Sequence, residues 1–339
     1  TPNWAPEATD CATPLRLGQG IPYSYTRLVG DNEKWSDTNI RVNLDYVPNE
    51  DQLYYFSYTT GFRSGGYALG VSGQYDDVRD EFGLPTGIDQ RLVTYDQEEV
   101  KAFEIGYKGL HLDDTLQIFA SIYHYDYDGY QDELQQFDEV RGAGASIVSN
   151  ADGITNDGFE TEISYVISDR LTLAGNYSYT KTEYGEDYLV FMVDDPVNPV
   201  PVFGACTQGY IACLVDDPSY AEDYTVNLKG SPLKGIPEQK YTLRLTYEMD
   251  SRYGPVWLLL NHAYTGDFSD SGIERDLDRV ESRETTNLSA SWFSEDGNLS
   301  MRVYVNNLMD NENYYALSTS DHEENYRKSV SALPPRTYG

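Results

Sequence analysis

The residues able to do chemistry are few, and their spacing says what they could do. Cys206 and Cys213 bracket "CTQGYIAC", so they could close a short disulfide or offer two thiolates to a metal. A metal site would want a second thiol pair or a nearby histidine, and neither follows. The histidines, His111, His124, His262 and His322, show no ligand spacing. Glu160 and Glu162 stand two apart in "GFETE". On a strand, that spacing puts both carboxylates on one face, where they read as a hydrated wall or a charge network before they read as an acid–base pair. "RGAGAS" (141–146) lacks the third glycine of a dinucleotide loop, and no G-x-S-x-G occurs. "DYDGYQDE" (126–133) falls outside the EF-hand register, which leaves loop-bound calcium a secondary expectation. The chain is therefore expected to hold no catalytic residues, no resident cofactor and no metal site.

The elements that carry these residues are strands, because alternation is the main signal. In "FETEISYVIS" Phe159, Thr161, Ile163, Tyr165 and Ile167 face one way and Glu160, Glu162, Ser164 and Ser168 the other. "LTLAGNYSYT" (171–180) and "YTLRLTYEM" (241–249) repeat the pattern, the latter setting Leu243 and Leu245 against Thr242, Arg244 and Thr246. Similar faces lie near 39–47, 99–108 and 299–306, and the runs at 53–60, 115–127, 256–265 and 285–293 alternate less cleanly but are still strand-like. These make ten strands, with 22–29 a candidate eleventh, and no amphipathic helix competes.

Their connections alternate. Short links follow 47, 109, 168, 249 and 294; long ones cover about 61–97, 128–157, 183–238, 266–284 and the stretch after 308. A membrane barrel sorts its connections this way, short turns on one side and long extracellular loops on the other. A soluble sandwich has no reason to. Composition agrees: 31 tyrosines and 28 glycines with a mean hydropathy of −0.57 suit strands whose alternate residues face a wet lumen. No run reaches the ~18 apolar residues of a membrane helix. Tyr46, Tyr127, Tyr179, Tyr264 and Trp292 sit near strand ends and are expected to form interfacial girdles. A formal charge of −32 argues against nucleic acid as a partner. The reading is an all-β, antiparallel up-and-down transmembrane β-barrel.

The stretch "YYFSYTTGFRSGGY" (54–67) resembles a motif of TonB-dependent outer-membrane receptors, in which a strand opens into an extracellular loop; Gly61, Phe62, Arg63, Gly65, Gly66 and Tyr67 fill its places. Four more segments resemble that family in its usual order. They are "EEVKAFEIGYKG" (98–109), "NADGITNDGFETE" (150–162) with Gly158, Glu160 and Glu162, "VNNLMDNENYY" (305–315) with Asn307 and Asp310, and "PPRTYG" (334–339). The 305–315 segment carries one residue more than the pattern before Tyr314. The resemblance covers roughly 36–339 and implies the later half of a barrel of about 22 strands. It divides the chain into 1–35, a loop with a candidate first strand; 36–308, hairpins with long extracellular loops; and 309–339, a last loop leading toward a missing final strand. Both ends look cut, and the family's N-terminal plug domain and TonB-binding box are expected in a segment outside this chain.

The resemblance implies a location in the bacterial outer membrane, with outer-membrane lipid, TonB and a ferric siderophore or similar nutrient as partners. Iron would enter only inside a transported chelate, and no bond would be made or broken. Such an exported, oxidising setting favours a Cys206–Cys213 disulfide. Ligand contacts are expected from Arg63, Tyr67, Tyr75, Arg79 and Arg141, since arginine and tyrosine suit anionic chelates. For Arg63 the motif position favours a brace for the loop base over ligand contact. Cobalamin, haem or an oligosaccharide are alternative cargoes, a passive porin is the rival without a plug, and a secreted β-rich binding protein ranks below both.

Overall fold

The computed structural model describes residues 26–29, 33–68, 75–79, 85–91, 93–138, 143–191, 225–312, 314–319 and 328–339. One antiparallel sheet of eleven strands dominates, each strand paired with its neighbour in sequence order. The strands are β1 (Arg41–Asn49), β2 (Gln52–Arg63), β3 (Glu98–His111), β4 (Leu116–Asp128), β5 (Ile154–Ser168) and β6 (Leu171–Tyr184). They continue as β7 (Gln239–Ser251), β8 (Gly254–Thr265), β9 (Arg283–Phe293), β10 (Ser300–Asn306) and β11 (Thr337–Tyr338). All ten strands read from the alternation are present. The segment at 22–29 differs: Thr26–Val29 pairs in parallel with Pro85–Arg91, in a small sheet built by the first long loop. The eleventh place in the main sheet goes to Thr337–Tyr338, paired with Asn306 and Val305.

Register turns the sequence alternation into two surfaces. Directly opposed residues share a face, so Phe103, Ile122 and His124 line up outward while Glu104, Tyr123 and Ser121 line up inward. The outer face is apolar across every strand, with Leu44, Ile105, Ile122, Leu243 and Val303 all exposed. On β7 its apolar run goes from Tyr241 to Met249, about 27 Å of strand. A tilt of about 40° reduces this to roughly 20 Å of height, close to the ~25 Å apolar belt of a membrane barrel. Aromatic pairs flank the belt. Tyr46, Tyr54 and Tyr107 form a chain at the short-turn end with centroids 6.2 and 4.8 Å apart. At the long-loop end Tyr58 meets Phe103 at 4.8 Å and Tyr241 stacks on Tyr264 at 5.1 Å.

Two departures have local causes. Tyr127 does not join a girdle: it shares the inner face with Tyr123 and Tyr125, opposite Ile154. The alternation of 256–265 is blurred because β8 carries apolar residues on both faces, Leu258 and Leu260 outward beside Leu288 and Ala290, Trp257 and Leu259 inward beside Ser291 and Ser289.

The sheet itself has no dry core. Among the described residues the principal buried apolar cluster lies beyond the long-loop ends, where Leu134, Ala151, Ile154, Tyr184, Tyr188, Val190, Leu228 and Leu233 pack together. The hairpin Tyr130–Asp138/Ala143–Ala151 supplies Leu134 and Ala151, the short pair Leu189–Phe191/Thr225–Asn227 supplies Val190, and the ends of β5 and β6 and the loop segments beside them supply the rest. Tyr184 and Tyr188 stack with centroids 5.5 Å apart. Inside this lobe the buried Asp132 accepts a hydrogen bond from Tyr184 and faces the Lys234 ammonium at 3.5 Å. Buried charge is costly unless paired and hydrogen-bonded, and here it is both.

Candidate functional site

The inner wall and its mouth under the lobe form the candidate site. The opening stretch of β2 builds one corner. Its inward residues are Tyr55, Ser57, Thr59, Gly61 and Arg63, and its outward ones include Tyr58 and Phe62. The two glycines that follow are steric. A Cβ on Gly65 would lie 2.6 Å from the Trp35 indole, and one on Gly66 would collide with the Tyr95 ring. Trp35 and Tyr95 thus press on bare backbone and fix where the loop leaves the strand. Tyr67 follows in a short pair opposite Thr94. Arg63 stands exposed, opposite Glu98 in register, and its charge partly offsets the rise that burial, Asp132 and Glu98 impose on the Tyr130 phenol above it.

Tyr75 and Arg79 begin and end a strand paired with Pro85–Arg91, and their side chains lie outside the described residues. Arg141, Cys206 and Cys213 lie outside the described residues altogether. Of the five expected ligand contacts, Arg63 and Tyr67 are therefore the two whose surroundings are described.

Across β3 to β6 the inner wall is acidic and rich in tyrosine. Glu160 and Glu162 face inward opposite Ser178 and Asn176. They border an open cleft of about 290 Å³ with Tyr55, Lys108 and Phe119. Lys108 sits 5.6 Å from the Tyr55 ring and 5.8 Å from Phe119, a cation over two aromatic faces. Tyr55 donates to Glu104 on the neighbouring strand.

Gly106 and Gly158 explain their own places in the sequence. Each lies beneath a tyrosine, Tyr55 and Tyr123 respectively, and a Cβ there would overlap the ring. The tyrosine lies flat across the gap, and Tyr123 reaches on to Thr180 one strand further, at 3.0 Å. Above it Tyr125 stacks on Tyr123 at 4.9 Å, and Tyr127 meets Tyr130 edge-on at 5.6 Å. A column of rings thus climbs from the wall to the lobe.

Toward the long-loop end of β7 to β9 the same face is basic. Lys240, Thr265 and Arg283 form one transverse row, and Arg244, Asn261 and Asn287 form another below it. Arg244 donates through Nε to Asn261 at 3.2 Å. Only Arg244 had been placed on a polar face by the alternation. The row itself joins three strands and needed their register.

Asn307 and Asp310 form a clasp. Both take positive φ, 51° and 60°, a region asparagine and aspartate enter more readily than most residues. The buried Asn307 side chain accepts from Asn311 N at 3.0 Å and donates to Asn311 O and Pro334 O at 2.9 and 3.4 Å. Asp310 accepts from Arg336 N at 3.1 Å and pairs with the Arg336 guanidinium at 3.5 Å. The turn after β10 thereby grips the chain just before β11. Among the described residues no group of three or more His, Cys, Asp or Glu side chains is arranged to hold a metal.

An apolar outer belt, a polar inner wall and alternating short and long connections define a sector of a transmembrane up-and-down barrel. Residues 8–308 match the family model for the β-barrel of TonB dependent receptor-like proteins, and the chain belongs to that family. Among solved structures it is similar to FyuA, the ferric yersiniabactin uptake receptor of Yersinia pestis (15% identity, TM-score 0.58, 88% of this chain and 35% of that one). It also resembles the siderophore receptor PiuA of Acinetobacter baumannii (18%, 0.53, 88% and 34%) and the copper transporter OprC (13%, 0.55, 88% and 38%). The chain thus spans about a third of the length of these structures. No curated protein matches it.

Proposed function

We propose that this chain is one sector of a bacterial outer-membrane receptor that actively takes up a ferric siderophore or a similar bulky metal chelate, energised through TonB. The supporting observation is the inner wall: a wide polar surface, lined by tyrosine and charge, beneath an ordered lobe of loops. A packed protein core would exclude such residues from water; a lumen that admits a hydrated cargo needs them. The resemblances to FyuA and PiuA, both described as siderophore receptors, support iron as the carried metal. OprC keeps copper as the second reading. TonB would engage a segment outside this chain, lipid would cover the apolar belt, and the protein would perform no chemistry on its cargo. An aqueous route of this kind without energy coupling would be a passive channel.

The test is uptake of ⁵⁵Fe-labelled and ⁶⁴Cu-labelled chelates by cells carrying the full-length receptor gene, with and without TonB. Uptake that needs both the receptor and TonB supports the proposal, and the favoured label names the metal. Flux that persists without TonB would overturn it in favour of a passive pore.

A further inference from the structure

We propose that the hairpin Tyr130–Asp138/Ala143–Ala151 divides the loop layer into two bodies, and that the mouth opens where one face of this hairpin meets the base of the first long loop. The hairpin and the lobe stay joined as that seam parts. The proposal rests on the uptake reading for what passes the mouth, but the motion belongs to this chain and is measurable without cargo.

Alternation gives the hairpin two unlike faces. Gly129 and Gly153, at positive φ of 62° and 66°, separate it from β4 and β5, and it forms a ladder of its own. Gln131 opposes Asn150, and Asp132 opposes Ser149. Adjacent residues of a strand point to opposite sides, so the first pair shares one face and the second pair the other.

The Gln131–Asn150 face meets the first long loop through polar contacts. The Gln131 side-chain amide donates to Ser64 O at 2.9 Å and to Asp96 O at 3.1 Å, so one group holds both ends of that loop. Asn150 accepts from Asp96 N at 2.7 Å and donates to Asp96 O at 2.9 Å. Gln131 N adds a bond to the Glu98 carboxylate at 2.8 Å. The opposite face belongs to the lobe. Leu134 and Ala151 enter its apolar core beside Ile154 and Tyr184. Ser149 bonds the Tyr188 hydroxyl at 2.5 Å, and Asp132 accepts from Tyr184 and faces Lys234.

The two seams therefore differ in what parting them exposes. Hydrogen bonds between side chain and backbone can be exchanged for bonds to water at small net cost, and parting the first seam admits that water. Parting the second would bring the lobe's apolar core into water and strip a buried carboxylate of its partners. Local opening follows the contacts that are cheapest to break. The first seam is the cheaper one, and its release frees the loop base that carries Tyr67 without disturbing the lobe.

The first experiment is amide exchange, read by mass spectrometry on the purified full-length receptor in micelles. Peptides covering 64–68 and 93–97 should exchange about tenfold faster than those covering the hairpin and the lobe, which should share one rate. Gln131→Ala combined with Asn150→Ala should quicken the loop peptides by about another tenfold and leave the lobe unchanged. Leu134→Ala should quicken hairpin and lobe together. Heat-modifiable migration on gels confirms that each variant folds. Loop and lobe exchanging at one rate, or loosening equally in the double variant, would overturn the proposal.

The second experiment locks each seam in cells carrying the full-length gene. Asp96→Cys with Asn150→Cys, oxidised to a disulfide and checked by thiol labelling, should lower uptake of the ⁵⁵Fe-labelled chelate, and a reductant should restore it. Val190→Cys with Val226→Cys, directly opposed within the lobe, should leave uptake at the level of wild type treated identically. Full uptake through the locked Asp96–Asn150 seam overturns the proposal. A wild type that takes up no chelate counts against the uptake reading alone, and the exchange rates still decide the seam.

Discussion

The β3–β6 sector and the β7–β10 sector share one outer belt but solve the inner wall differently. The first is acidic and interlocked: Glu104, Glu160 and Glu162 stand among tyrosines that lie across Gly106 and Gly158. The second is basic at its upper end, where threonine and asparagine fill the rows between Lys240, Arg244 and Arg283. The difference teaches that the outer face is constrained by one solvent, lipid, and so is uniform. The inner face answers to local partners and is free to divide. The interlocked tyrosines and the row of basic residues thus occupy separate arcs of one sheet.

The comparison can be tested by substitution, beginning where the sectors should agree. Leu243→Asp, on the shared belt, should cost up to about 3 kcal/mol and deplete the heat-modifiable folded form. Thr246→Asp, one strand face away, should fold normally; equal tolerance at both positions would remove the distinction between lipid and lumen. Gly158→Val places a branched side chain where Tyr123 lies and should cost about 2 kcal/mol by overpacking, lowering the midpoint of urea unfolding. Ala263→Val, at an inward position of the basic sector without a tyrosine above it, should cost less than half as much.

The clasp comes next. Asp310→Ala removes the acceptor of Arg336 N and should cost about 1 kcal/mol. Its readout is register: cysteines replacing Asn306 and Thr337, which face each other, should cross-link readily, and less so when Asp310 is changed. Undiminished cross-linking would show that the β10–β11 pairing needs no clasp.

The smallest effect belongs to the lobe. The Asn227 side chain, then the Lys229 ammonium, hold the exposed Asp187 carboxyl below its ordinary range. A depressed folded-state value contributes stability above the unfolded value, lost as pH falls through the folded one. Protection of the Tyr188 amide, which donates to Asn227, measured as exchange relative to the intrinsic rate at each pH, should therefore fall in acid below the ordinary aspartate range and hold near neutrality. Asp187→Asn should remove that dependence.

Much of this was legible in the sequence, for a stated reason. Strand positions and faces follow from a period of two, which lipid on one side and water on the other enforce at every residue, so Phe159 and Glu160 declare their sides unaided. Features that need register were not legible. Nothing in "SIYHYDYDGY" says that Tyr123 will lie over Gly158, or that Tyr127 will turn from a girdle into the lobe. The Lys240–Thr265–Arg283 row likewise brings together residues from three strands. The lobe core was hidden for a different reason: Leu134 and Leu228 stand among polar neighbours, and Val190 lies in the short run "YLVFMV" of a long connection, with no sustained period to mark a strand. Arg63 was given two roles from its motif, and its position opposite Glu98 at the loop base suits the brace.

The lobe has one more consequence. Because Ile154 and Tyr184 are the ends of membrane strands and also the buried centre of the loop cluster, the surface cap is continuous with the wall below it. Surface loops usually accept insertions and cuts with little penalty. Here a protease cut or an epitope tag near Leu228 or Leu233 would open an apolar interior to water and loosen the rim of the sheet. An insertion is better tolerated away from that interior, at Glu295–Gly297 in a short turn at the opposite end of the sheet, where the turn is exposed and Gly297 has nothing packed against it.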